Sequence, residues 1–351
     1  MDKLRANRFA VLSPNLVVPR VEDMEQGFTN AWIRMKNNIA QESSPTKLSY
    51  KQEKLAQNLA ADAHSRRLRQ AGLTALTKEA RAQVTALARS GAALRGPSTE
   101  DEVYQLAADL HAESPWMREV SSWVMQHMLA YVGAGGCGLA LPPVILAGPP
   151  GIGKSHYARR LAEHAGTLSR LIDVGSGSAG FRITGTEKGW GTAQAGIPVE
   201  AILSAQVANP VMIVDEVDKA GEMRGETGRS TSLTTALLPL LDTGTAQRFE
   251  CPFHRLPFDM SRVVWIMTAN DADRIPTPLR DRARMFHLGG LNAEQAVGHF
   301  DRLAQHLGDD AELEHCRAFI AQMTNAPRGI SLRQIGQLAE ALRASPAPKA
   351  H

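Results

Sequence analysis

The stretch Gly148-Pro149-Pro150-Gly151-Ile152-Gly153-Lys154-Ser155 constrains the fold more than any other part of the chain. Its spacing is G-x-x-x-x-G-K-S. The apolar run Pro143 to Ala147 precedes it and reads as a buried strand, and a helix-like run from Ser155 to Ala165 follows. Strand, glycine-rich turn and helix in that order form a concave nest of backbone N–H groups at a helix N-terminus. Such a nest cradles phosphates. Lys154 is placed to reach the β and γ oxygens of a nucleotide, and Ser155 to hold Mg²⁺.

Length and charge narrow what surrounds this loop. The chain has 351 residues, room for two or three domains, and 43% apolar residues to build their cores. Lys and Arg number 39 against 36 acidic residues, for a net charge of +3, which is too even to argue for nucleic-acid binding. Cys137, Cys251 and Cys316 are far apart and odd in number, so neither a disulfide framework nor a metal spacing emerges. They predict a reducing, cytoplasmic setting. The N-terminus does not read as a signal peptide, and no run of 18 apolar residues exists to span a membrane.

Residues 1–130 read as a helical N-terminal domain with a partner- or client-docking role, with helices over Val21 to Ala40, Leu48 to Ala71, Leu76 to Leu87 and Thr99 to Leu110, the last capped by Ser98. Pro115 to Tyr131 is a further apolar-periodic helix, and the glycine-rich Val132 to Gly138 reads as a flexible joint. Residues 131–290 read as the nucleotide-binding domain, 291–343 as three helices of a lid, and 344–351 as a frayed tail.

Further chemistry lies at strand ends. Val211 to Val214 is a β-branched and apolar run that delivers Asp215 and Glu216 at its C-terminal end. Two carboxylates there match the needs of ATP hydrolysis, with Asp215 holding Mg²⁺ through water and Glu216 polarising the attacking water. Asp218 and Lys219 read as structural, paired with each other. Val263 to Met267 is the next strand, and Asn270 just beyond it is placed to bind the lytic water and the γ-phosphate. Arg280, Arg282 and Arg284 follow the rigid elbow Ile275-Pro276-Thr277-Pro278-Leu279, where an arginine can reach a phosphate bound by a neighbouring subunit. Trp190, between Gly189 and Gly191, reads as an exposed gripping aromatic on a mobile loop.

Together these segments resemble an AAA+ ATPase, specifically the ATPase module of the Lon protease family. The likeness covers about residues 130 to 340. Its specific parts are Asn209-Pro210-Val211-Met212-Ile213-Val214-Asp215-Glu216-Val217-Asp218-Lys219, Thr235 to Asp242, and Ile275 to Arg282. The resemblance implies an α/β fold with a P-loop core, a parallel sheet and a helical lid. It puts Lys154 and Ser155 on the Walker A pair, Asp215 and Glu216 on Walker B, and Asn270 on the first sensor. Arg282 matches the arginine finger better than Arg280 or Arg284. Trp190 falls where such proteins place the aromatic of the first pore loop, and Glu222 to Gly225 resemble the second. Arg333, with Arg328 as rival, matches the second sensor.

The chain departs from the family by stopping before any Ser–Lys peptidase and by its helical N-terminal part. The expected function is therefore a Mg²⁺-dependent ATPase that remodels or threads protein clients as a homo-oligomeric ring, in all expectation a hexamer. The alternatives are an ATPase switch or loader acting on nucleic acid, and an ATP-dependent assembly scaffold.

Overall fold

The structure, a computed structural model, describes residues 7–40, 47–176, 179–187, 193–220, 233–305, 307, 309–326 and 329–344. In chain order the strands are β1 (Arg8–Phe9), β2 (Ala92–Ala93), β3 (Val144–Ala147), β4 (Ser169–Asp173), β5 (Val211–Asp215), β6 (Phe249–Cys251), β7 (Leu256–Phe258), β8 (Val264–Ala269) and β9 (Arg284–His287). Five of them form one parallel sheet in the order β4-β5-β8-β3-β9. The other two sheets are the short antiparallel pairs β1-β2 and β6-β7.

Strands buried on both faces read as continuous apolar runs, and β3 and β8 are buried at every residue. Alternate residues go to opposite sides. Ile145, Ala147, Met212, Val214, Trp265 and Met267 enter one core, together with helices Ala179–Thr184, Ile197–Ala205 and Leu233–Leu241. Val144, Leu146, Val211, Ile213, Val264 and Ile266 enter the other, beneath the helix Lys154–His164. The register pairs Ala147 with Ala269 and Asp173 with Asp215, so these strands end level. The loops after β3, β5 and β8 therefore emerge side by side, where ligands of open α/β sheets bind.

The division expected at residue 130 falls inside the helix Arg118–Gly133. Val120, Val124 and Met128 of that helix share a core with the sheet. So do Val103, Leu106 and Leu110 of the helix Glu100–Glu113, while Leu73, Leu76, Val84 and Leu87 join the core on the opposite face. Helical periodicity reports that a face is buried, but not against what. The hairpin of helices Val21–Ala40 and Tyr50–Gln70 packs on the first core through Leu68 but adds no buried residue to either core; in it Ala56 and Ala60 are buried and Phe28, Met35, Tyr50, Leu55 and Leu59 remain exposed.

Two local expectations also change. Thr99, not Ser98, caps the helix Glu100–Glu113 in a reciprocal capping box with Glu102, while the Ser98 N–H and hydroxyl donate to the Glu102 carboxylate. The joint before β3 is pinned, because the Gly138 N–H donates to Pro97 O at 2.9 Å. Buried Asn209 fastens the same region. Its amide donates to Arg95 O and Leu139 O and accepts from the Arg95 N–H. The three C-terminal helices are Ala293–Leu303, Asp310–Thr324 and Leu332–Ala344, the first two opened by capping boxes at Asn292 and Asp309. Among the described residues, no helix is long and apolar enough to cross a membrane.

Candidate active site

Gly148 to Gly153 form the turn between β3 and the helix that starts at Lys154. The turn needs glycine for two reasons. Gly151 and Gly153 have φ of 80° and 89°, in the left-handed region that L side chains avoid. A Cβ on Gly151 would stand 2.4 Å from the Ser331 Cβ, and one on Gly148 would stand 2.5 Å from Leu288 O. Pro149 and Pro150 stiffen the entry, and Ile152 is buried beneath the loop.

Lys154 is 7% exposed, and its three N–H donors are all taken. They go to Gly148 O at 2.7 Å, Pro149 O at 2.9 Å and the Asn270 Oδ1 at 3.0 Å. Burial pushes the ammonium below its usual pKa, while the carboxylates of Asp215, Asp218 and Glu216 pull the other way. On the next residue, the Ser155 hydroxyl donates to Asp215 Oδ1 at 2.7 Å.

The two carboxylates at the end of β5 face different partners. Asp215 Oδ1 also accepts from the Thr268 hydroxyl, and the same hydroxyl accepts the Glu216 N–H at 3.2 Å. Glu216 sits at φ 62° and ψ 48°, a left-handed conformation that is costly for a residue with a Cβ. Its two carboxylate oxygens diverge. Oε1 accepts from Asn270 Nδ2 at 3.3 Å, and Oε2 accepts from Lys219 Nζ at 2.6 Å. Lys219 thus pairs with Glu216 rather than with Asp218. Asp218 is buried instead, and its Oδ2 accepts the N–H groups of Asn270 and Asp271, each at 3.2 Å. That carboxylate sets the turn that presents Asn270.

Lys154, Ser155, Asp215, Glu216 and Asn270 therefore meet within one hydrogen-bonded cluster. Four further contributors were not legible as site residues. Thr268 lies in an apolar strand, Asp218 and Lys219 read as a structural pair, and Trp116, whose indole N–H donates to Ile152 O at 2.9 Å, reads as part of an apolar-periodic helix. Of these, Thr268 carried a signal, as the one polar residue in the otherwise apolar strand Val264–Ala269.

Arg282 lies elsewhere. It is exposed, donates to Pro278 O at 3.2 Å, and comes just before β9, whose first residue pairs with Val144 at the start of β3. It is thus at the opposite end of the β3–β9 pair from the phosphate loop, about 13 Å away for four residues of strand. Arg284 lies over the Phe286 ring, and Arg280 donates to the Thr277 hydroxyl. Arg333 is exposed in the first turn of the helix Leu332–Ala344, next to Leu332, whose N–H donates to Gly151 O at 2.9 Å. Trp190, Glu222 to Gly225 and Arg328 lie outside the described residues.

The donor set suits a magnesium nucleotide. A hydroxyl and a carboxylate are hard oxygen ligands, and among the described residues no group of three or more His, Cys, Asp or Glu is arranged to hold a metal ion. Mg²⁺ characteristically binds to one or two protein oxygens and completes its shell with water and phosphate.

Residues 144–289, from β3 through β9, match the AAA family, described as the ATPase family associated with various cellular activities. The chain carries an AAA ATPase domain. It is similar to the Lon protease of Chloroflexus aggregans, with 32% identity over 189 residues, 54% of this chain and 22% of that protein. The Lon protease of Aquifex aeolicus is 37% identical over 163 residues, which are 46% of this chain and 20% of the relative. Lon protease 4 of Sorangium cellulosum matches over 68% of this chain at 29% identity, again across only 30% of its own length. The chain thus spans between a fifth and a third of these relatives. A cryo-EM structure of closed-state Hsp104 with ATPγS and FITC-casein superposes with a TM-score of 0.53 at 14% identity, covering 82% of this chain and 53% of that one, a likeness of fold.

Proposed function

We propose that the protein is a Mg²⁺-dependent ATPase that works as a ring, with six subunits, and uses hydrolysis to remodel or thread protein clients. The observation that carries the ATPase reading is the unbroken polar chain from Lys154 through Asn270 to Glu216, with Ser155 and Asp215 alongside. Lys154 exchanges the Gly148 and Pro149 carbonyls for the β and γ oxygens of ATP. The N–H groups of the Gly148–Ser155 loop hold the phosphates, and Ser155 and Asp215 hold Mg²⁺, whose chemistry is to neutralise charge on the β and γ oxygens. Glu216 orients and polarises the attacking water, and Asn270 holds both that water and the γ-phosphate.

The position of Arg282 supports a site shared between subunits. It is a strand length from its own Lys154, so it serves a neighbour's γ-phosphate. Arg333 enters from the lid, one residue from the Gly151 contact. Gly189-Trp190-Gly191 grips the client, in line with the Lon-like sequence around it. The ring works in a reducing, cytoplasmic compartment, a reading supported by three free cysteines.

The test pairs two variants. Glu216→Gln binds ATP and does not turn it over, whereas Lys154→Ala loses affinity, because Lys154 contacts ground-state phosphates and Glu216 acts on water. Turnover near wild type in Glu216→Gln defeats the assignment. For the client, Trp190→Ala keeps basal ATPase activity and melting temperature but fails to unfold a fluorescent reporter bearing an unstructured tail. Full unfolding by that variant removes the pore reading. A monomer with full activity in light scattering removes the ring.

A further inference from the structure

Two carbonyls of the phosphate loop are held from outside the loop. Trp116 Nε1–H donates to Ile152 O at 2.9 Å, and Leu332 N–H donates to Gly151 O at 2.9 Å. In a planar trans peptide the C=O and the following N–H point in opposite directions, and none of the described peptide bonds is cis. A donor on Gly151 O therefore sets the direction of the Ile152 N–H, and a donor on Ile152 O sets that of the Gly153 N–H. These are consecutive members of the nest read above as the phosphate cradle. The loop's glycines, Gly151 and Gly153, carry no side chains to fix these peptide planes themselves.

Trp116 is well placed to act as such a fixture. It lies in the 3₁₀ turn Pro115–Met117, between the proline and the fully buried Met117. Its ring also meets the lid. The Trp116 and His299 ring centroids are 5.6 Å apart at 87°, and His299 lies on the helix Ala293–Leu303. Arg302, from the same lid helix, donates to Ala112 O just ahead of the turn. One side chain thus touches the phosphate loop and the lid at once.

We propose that Trp116 is a positioning residue for phosphate binding: its indole N–H turns the Ile152–Gly153 peptide so that the Gly153 N–H faces the phosphates, and its ring ties that orientation to the seated lid. This inference rests on the nucleotide reading above. Trp116 acts through the backbone of the loop and reads the phosphates, not the base.

The experiment measures affinities of the full chain for Mg²⁺-ATP, Mg²⁺-tripolyphosphate and adenosine, by calorimetry and by ligand-observed NMR for the weak ligand. Wild type is compared with Trp116→Phe and with a protein whose Trp116 indole is replaced by its benzothiophene isostere, which keeps the shape and has no N–H. Both lose about five- to tenfold in affinity for ATP and tripolyphosphate, the factor expected of one hydrogen bond of ordinary net strength. Adenosine affinity stays at its wild-type value, and melting temperature falls by no more than the few degrees that one lost hydrogen bond costs. Unchanged tripolyphosphate affinity in the isostere overturns the proposal, and so does an equal loss for adenosine, which would make Trp116 a contact to the base. If Trp116→Phe does not fold, the isostere decides alone. If wild type binds neither ATP nor tripolyphosphate, the nucleotide reading falls and takes this inference with it; if wild type binds and the variants match it, only the role of Trp116 falls.

Discussion

Thr268→Val isolates one hydroxyl at the centre of the site. Thr268 is 1% exposed and differs from valine by that group alone, so no cavity opens. The hydroxyl donates to Asp215 Oδ1 and accepts the Glu216 N–H. Its loss leaves the N–H without its partner, at about 1–2 kcal/mol, and takes one of two donors from Asp215, which keeps Ser155. The total is about 2 kcal/mol. For a domain of 150–250 residues, each kcal/mol moves Tm by about 2–4 °C, so the expected drop is about 4–8 °C. The second effect is on rate. The hydrogen bond to Thr268 helps to hold Glu216 in its left-handed conformation, so relaxation moves the carboxylate away from the position in which, on the proposed function, it orients the attacking water. Turnover then falls by about 10- to 100-fold, at a nearly unchanged KM for ATP. Thr268→Ser keeps the hydroxyl and retains most of the rate. Thermal melts and steady-state ATPase assays on the three proteins suffice. Wild-type Tm and kcat in Thr268→Val refute the argument, and a lower Tm with unchanged kcat shows that the hydroxyl stabilises the strand end without positioning Glu216.

Other consequences follow from the same geometry. Arg282→Ala folds and binds ATP but hydrolyses it poorly, and mixing it with Glu216→Gln restores part of the activity, because each subunit supplies what the other lacks; no recovery in the ATPase assay speaks against a shared site. Gly151→Ala, at φ 80° and against Ser331, loses about 1–2 kcal/mol from strain alone, displaces the lid contact at Leu332 and weakens ATP binding, as melting and calorimetry will report. His299 titrates at about 4, because burial, and then Arg302 and His156, disfavour its charged form. A His pKa lowered on folding contributes stability that is fully present above the unfolded value near 6.5, declines as pH falls, and is lost below about 4. His299→Phe should therefore flatten the decline in Tm between pH 6.5 and 4, and an unchanged slope there rules His299 out as its source.

Local chemistry made much of the site legible. A glycine spacing that only a phosphate nest requires, an apolar run ending in two carboxylates, and an amide just past another such run are each properties of a few consecutive residues. Once the strands are parallel and level, Lys154, Ser155, Asp215, Glu216 and Asn270 have to meet. The three C-terminal helices were expected too, and the first two open with capping boxes, Asn292 with Gln295 and Asp309 with Glu312.

Tertiary structure decided what depends on partners distant in sequence. Periodicity marked the helix Arg118–Gly133 as having an apolar face, but only packing shows that Val120, Val124 and Met128 on that face share a core with the sheet. Lys219 follows Asp218 in sequence, yet a 3₁₀ turn brings its ammonium back to Glu216 and frees Asp218 to hold the N–H groups of Asn270 and Asp271. Thr268, inside an apolar strand, gains its role only because β5 lies beside β8. Trp116 is 36 residues from the carbonyl it holds. A sequence specifies which groups a segment offers; the packing of the sheet, with helices on both faces, selects the partner that each buried polar group must find to offset its lost hydration.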